Sequence, residues 1–368
     1  VAATDRLRRA ALVAVLASLA VDARADGRAA VGGHYYLDSD QLEVWHPHAT
    51  VRLDATDELA LRAAYDADVV SAATIDVRTS ASTRAFTEAR HGFGADLLHS
   101  PNSTLRWGVG GSSSFSPDYE SGTTGLNVAI EDDGRVHTFS AALTGSYASV
   151  GRRGDQTRTG ELWAAGLSLA WGVVLSPEIV LDVSAAGELQ SGYLESPYRM
   201  VSIYEAGDPT ARVAIPEAVP DLRLRGALRT RLRIAPEDEV FLRGSYRLHA
   251  DDWGVLGHTV EAEVTLAPIR ELSITLSFRF LGQLAATFYR GRYESLPLLP
   301  ELRTRDRELA AQSQLGGGLV VELMLPPVLD GDLGVFLRGE ITHARLYDTP
   351  LLPERLSGIV GVGLSFRR

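Results

Sequence analysis

None of the 368 residues is a cysteine. Disulfide frameworks, thiolate metal sites and thiol nucleophiles are excluded, and the chain suits an oxidising compartment. It also lacks an unbroken run of about 18 apolar residues, so no membrane-crossing helix is expected. Positive charge is in deficit: 36 Lys and Arg against 47 Asp and Glu leave a formal net charge of −11, a balance that argues against nucleic-acid binding. Beyond residue 25 there is no helical period, no low-complexity linker and no repeat longer than a hairpin.

What is present is alternation. In "LRLRGALRTRLRI" (Leu222 to Ile234) the five arginines stand at odd positions and the leucines at even ones. A period of two is the strand period; on a helix the arginines would scatter around the axis. The same pattern runs through Glu58 to Val70, Glu239 to Asp251, Arg270 to Phe280 and the last segment, Ser357 to Arg367. About sixteen such segments are found, most of them long enough to cross a bilayer as tilted strands of about 9–11 residues. A closed barrel of that size is too wide to be filled by side chains, so its apolar face must point outward into lipid.

The connections sort by length. Short turns lie near Ala55 to Asp57, Ser100 to Asn102, Asp132 to Gly134, Ser176 to Glu178, Pro236 to Asp238 and Ala267 to Ile269. Longer connections alternate with them, over 72–82, 151–159, 194–221, 285–307 and 346–356. The expected fold class is therefore all-β: a transmembrane antiparallel β-barrel of about sixteen strands, with short periplasmic turns and longer extracellular loops. Arg6, Arg8 and Arg9 before "AALVAVLASLAV" (Ala10 to Val21), then Ala23-Arg24-Ala25, predict a secretory signal peptide over 1–25, export through the periplasm and one barrel domain over 26–368. The expected location is the outer membrane of a Gram-negative bacterium.

At the longer loops the residues become specific. "YDADVVSAAT" (Tyr65 to Thr74), "TEARHGFGADL" (Thr87 to Leu97), "ESPYRMV" (Glu195 to Val201), "PEAVPDLRLRGAL" (Pro216 to Leu228), "YRLHADDWGVLGHTVEAE" (Tyr246 to Glu263) and "QLAATFY" (Gln283 to Tyr289) resemble the domain of unknown function 3570 family. The resemblance implies a proteobacterial outer-membrane β-barrel with no settled activity.

Alternation assigns faces. Asp66, Asp68, Arg84, Glu88, Arg90, Arg223, Arg225, Arg229, Arg247 and Asp251 are expected to point into the lumen, where guanidinium and carboxylate groups can pair as a ladder. Such a cluster either braces the wall or forms a constriction for an ion or small polar solute. His46 and His48 share a strand face and are weak metal candidates, lacking a third ligand; His91 and His258 fall on the apolar face. Ser71 with His249 and Asp251, or Ser196 with His258, assemble a hydrolytic set only on paper. Tryptophans near strand ends are expected as an interfacial girdle, with Trp253 anchoring an external turn.

The leading functional expectation is a channel-like or transport-associated barrel for small polar solutes. A structural or assembly-partner barrel of a surface or secretion complex is the second, and an outer-membrane hydrolase the third. No cofactor is expected. The expected partners are outer-membrane lipid and the general barrel-insertion machinery, not nucleic acid.

Overall fold

A computed structural model describes residues 27–72, 86–152, 155–328, 330–350 and 352–368. The segment expected to be the signal peptide lies outside these, as does the connection at 73–85. Long strands form wherever the alternation is clean. They are β1 (Gly27–Asp38), β2 (Leu42–Asp54), β3 (Leu59–Ala72), β4 (Phe86–His99), β5 (Leu105–Ser116), β6 (Tyr119–Glu131), β7 (His137–Arg152), β8 (Asp155–Ser176) and β9 (Ile179–Gly192). The chain then makes two short strands, β10 (Met200–Glu205) and β11 (Asp208–Pro216), and returns to the wall with β12 (Leu222–Glu237), β13 (Val240–Asp251), β14 (Leu256–Ile269) and β15 (Leu272–Gln283). After β16 (Tyr293–Leu296) and a 3-10 turn at Arg307–Leu309 come β17 (Gln312–Val328), β18 (Gly331–Leu346) and β19 (Glu354–Arg367).

Sixteen of these strands close into one antiparallel barrel, sealed where β1 pairs with β19 from Arg28↔Arg367 to Asp38↔Ser357. Closure leaves no unpaired edge, so every wall strand satisfies its backbone groups on both sides, as a bilayer requires. The faces are inverted relative to a water-soluble protein. Leu222, Leu224 and Leu228 are 47%, 55% and 58% exposed on the outside of β12, while the arginines between them turn inward. Leu143, Leu167, Leu276, Ile341 and Val360 continue the apolar outer surface around the barrel. An apolar belt of this extent on a closed sheet has no aqueous explanation; the fold is a transmembrane β-barrel.

Ring contacts mark its rims. His137, Phe139 and Trp171 stack at one end, and Tyr147 packs on Trp163, ring centroids 4.5 Å apart, toward the other. His91 and His258 bond the outward-facing Tyr65 and Tyr246, on the apolar face.

The expected short turns all fall at one end, the periplasmic end of such barrels, and the long connections at the other. Two details differ from the sequence reading. Residues 151–159 are not a loop: β7 runs to Arg152 and β8 starts at Asp155, so this hairpin is strand almost to its tip. The loop end also carries tight turns at 39–41, 117–118 and 252–255.

Candidate functional site

The two longest connections, 193–221 and 284–311, fold together as a cap over the mouth at the long-loop end. β10 lies between β11 and β16 in a small sheet, closed by Val201, Ile203 and Tyr293. A second apolar cluster of Trp253, Val255, Ala286, Tyr289, Leu309, Ala310, Ala344 and Leu346 seats the cap on the rims of β13, β14 and β18. Burial pushes the phenols of Tyr289 and Tyr293 up, keeping them protonated as donors; Tyr293 donates to the Phe288 carbonyl at 2.6 Å.

The two loops are joined through Glu217, whose side chain is 2% exposed. Its carboxylate accepts from the Ser196 amide at 2.9 Å, from Arg199 at 3.1 and 3.2 Å and from the Thr304 hydroxyl. A buried carboxylate so fully satisfied holds its surroundings in one arrangement. Two tethers carry the cap across the mouth. Tyr198 donates to Asp118 in the β5–β6 turn, and Arg307 pairs with Asp40 in the β1–β2 turn, their side chains 12% and 5% exposed.

The stretches that carry the family resemblance converge on this junction. "ESPYRMV" supplies Tyr198 and Arg199, and "PEAVPDLRLRGAL" supplies Glu217, Arg223 and Arg225. In "DDWG" (Asp251 to Gly254) Asp251 takes the Arg223 guanidinium at 2.5 Å and the Val255 amide at 2.8 Å, and the Trp253 indole donates to the Leu222 carbonyl at 2.9 Å. Arg223 also lies 4.3 Å over the Trp253 ring. Gly254 sits at φ +92°, and a Cβ there would meet Thr287 Cγ2 at 2.6 Å, so the turn needs glycine for both reasons.

Below the cap the lumen has three unlike walls. On the first, β9 and β12–β15, most of the arginine stripe is paired: Arg225 with Glu188 at 2.5 Å, Arg229 with Glu261 at 3.0 Å and Arg233 with Asp182 at 2.8 Å, while Arg231 forms no ion pair among the described residues. Glu188 and Asp182 come from the adjacent β9, and Glu261 from β14, one strand beyond β13. Asp66 and Asp68, also expected as acids for the ladder, stand elsewhere.

The second wall is β1–β3. Asp68 bonds His46 Nδ1 at 2.7 Å, and Asp66 lies across Gly92. His34, His46 and His48 gather here, ring centroids 5.1 to 6.2 Å apart. Sequence reasoning missed His34, although its place opposite His46 follows once β1 is paired with β2. Among the described residues no group of His, Cys, Asp or Glu is arranged to hold a metal ion.

The third wall, β4–β8, is small and mostly uncharged: Gly94, Gly110, Ser112, Ser114, Ser121, Thr123, Gly125, Thr144, Gly166 and Ser168 line it. Arg90 folds back, donating to Ser114 and lying 5.3 Å over Tyr119. Arg84 lies outside the described residues, and Glu88 lies in β4.

Space is left where side chains are short. A cavity of about 670 Å³ lies under the cap between the arginine wall and β7–β9, and a second of about 460 Å³ runs along β3–β7. They share Ala142 and Thr144 in their linings. The hydrolytic sets do not assemble. β3, which carries Ser71, is eight places from β13 in the ring of sixteen, diametrically opposite His249 and Asp251. His258 faces outward to Tyr246 while Ser196 is in the cap.

Residues 153–335 match the family described as Protein of unknown function (DUF3570). That match is to the same family that the sequence motifs resemble. The motif stretches from Tyr65 to Leu97 lie outside the matched residues. No curated protein matches the sequence. Among solved structures, a bacterial polysaccharide outer membrane secretin is similar at TM-score 0.50 and 11% identity, covering 93% of this chain and 98% of that one. OccD1 (OprD) gives TM-score 0.47 at 9% identity, covering 94% and 96%, and CdiB from Acinetobacter baumannii gives 0.49 at 10%, covering 92% of this chain and 60% of that one. At such identity the secretin likeness shows the fold alone, a closed antiparallel barrel of the kind found in outer-membrane proteins.

Proposed function

We propose that the barrel is a capped conduit for small polar solutes. The observation that carries this reading is the asymmetry of the lumen. Long charged side chains fill one side, and a strip of Gly, Ser, Thr and Ala leaves two abutting cavities on the other. A scaffold with no solute to pass has no need of such a strip, and the charged wall beside it offers hydrogen-bonding groups to polar solutes. The cap regulates entry at the extracellular mouth. Reconstitution tests the reading: Thr123→Arg or Gly125→Arg, placing a guanidinium on the small wall, should lower unitary conductance severalfold without loss of folding. Unchanged conductance in either variant would rule out a path along β4–β8.

A second reading, an assembly-partner barrel, is favoured by the cap itself. Its tip exposes Leu298 (76%) and Leu299 (55%). On that reading the protein inserts, folds and never conducts.

A further inference from the structure

The cavity beneath the cap is bipolar once its ion pairs are cancelled. Arg223 is neutralised by Asp251 and Arg225 by Glu188. Arg247 is not neutralised. It stands directly opposite Arg229 on β12, whose guanidinium goes to Glu261, and opposite Thr259 on β14. Like charges opposed across strands repel, and neither neighbour offers Arg247 a carboxylate. Among the described residues it forms no ion pair, and it lines the cavity.

The roof has the opposite imbalance. Glu217 and Asp306 both take Arg199, at 3.1 and 3.0 Å, so two carboxylates share one guanidinium. Glu308, also lining the cavity, has no ion pair among the described residues, because the adjacent Arg307 is engaged by Asp40. Apolar surface from Leu194, Val219, Trp253 and Leu309 is interposed.

We propose that this cavity binds zwitterionic solutes of the amino-acid and short-peptide class, with the carboxylate on Arg247, the ammonium toward Glu308 and Asp306, and an apolar side chain against Trp253 and Leu309. The planar guanidinium fork suits a carboxylate bidentately. A volume of about 670 Å³ lies in the range of small-molecule sites and exceeds what one free amino acid fills. The proposal rests on the reading of the lumen as a solute path, but binding tests it independently of conduction.

The test titrates refolded protein in detergent with L-alanyl-L-leucine, its N-acetyl derivative and its C-terminal amide, by calorimetry and tryptophan fluorescence. Trp253 reports on the cavity, whereas Trp45, Trp163 and Trp171 are exposed on the outer face. The free dipeptide should bind at least tenfold more tightly than either blocked form. Arg247→Gln should weaken the dipeptide tenfold or more while leaving the weak affinity of the amide unchanged; Arg247→Lys, which keeps the charge without the fork, should fall between. Equal binding of the N-acetyl form makes the site one for anions, equal binding of the amide makes it one for cations, and either overturns the proposal. So does folded protein that binds none of the three. A barrel that conducts yet binds none loses this site and keeps its path; one that binds the dipeptide and never conducts keeps the site and loses the path.

Discussion

At the scale of single residues, the side of the strand decides the cost of a charge. Leu228 is 58% exposed on the lipid side of β12, and Leu228→Arg is expected to destabilise by about 2–4 kcal/mol if it lies near the midplane. Its neighbour Arg229 faces the lumen, paired with Glu261 at 3.0 Å with both side chains about one-third exposed. Removing it as Arg229→Leu should cost about 1 kcal/mol or less, because the pair is solvated and Arg279 remains 3.7 Å from Glu261. Denaturant titration of refolding into vesicles checks both; equal tolerance would remove the lipid assignment. This contrast was legible in the sequence, because alternation is a property of neighbouring residues. The identity of each arginine's partner was not. Glu188, Asp182 and Glu261 become partners of the stripe only through barrel register, a long-range property. His34 escaped notice for the same reason.

At the scale of elements, the wall strands were readable and the cap was not. β10, β11 and β16 are four to nine residues long, bent around one another inside stretches rich in proline and arginine, and their alternation is too short to separate from loop. The β7–β8 hairpin was misread in the opposite sense, because Gly151 and Gly154 look like turn signals although strand pairing reaches Arg152↔Asp155. The cap has its own stability. Arg307→Ala leaves Asp40 buried without its partner, and breaking such a pair costs about 3–5 kcal/mol. That loss should appear as local opening, since the barrel ladder is independent of it. Hydrogen exchange over 284–311 should accelerate while β17 and β18 stay protected; unchanged exchange would mean that this tether does not hold the cap. Orientation is tested with the cysteine-free background. An impermeant maleimide on intact cells should label Asp208→Cys and spare Asn102→Cys, and the reverse pattern would invert the barrel.

At the scale of the whole molecule, the proposed conduit joins two of the lumen walls to the cap: a charged side, a small side that leaves room, and a roof fixed to the rim at Asp40 and Asp118. Barrel class and inward charge followed from the sequence. The off-axis cavities did not, because they depend on where β4–β8 stand around the ring relative to the arginine stripe, which only closure decides. The most direct measurement is single-channel recording of Thr144→Cys in planar bilayers before and after a charged methanethiosulfonate reagent. Thr144 lines both cavities, and the chain has no other thiol. The account predicts discrete openings that step down on modification, while unmodified wild type is unaffected. Correctly inserted protein that carries no current, or a current that modification at Thr144→Cys leaves unchanged, would contradict it.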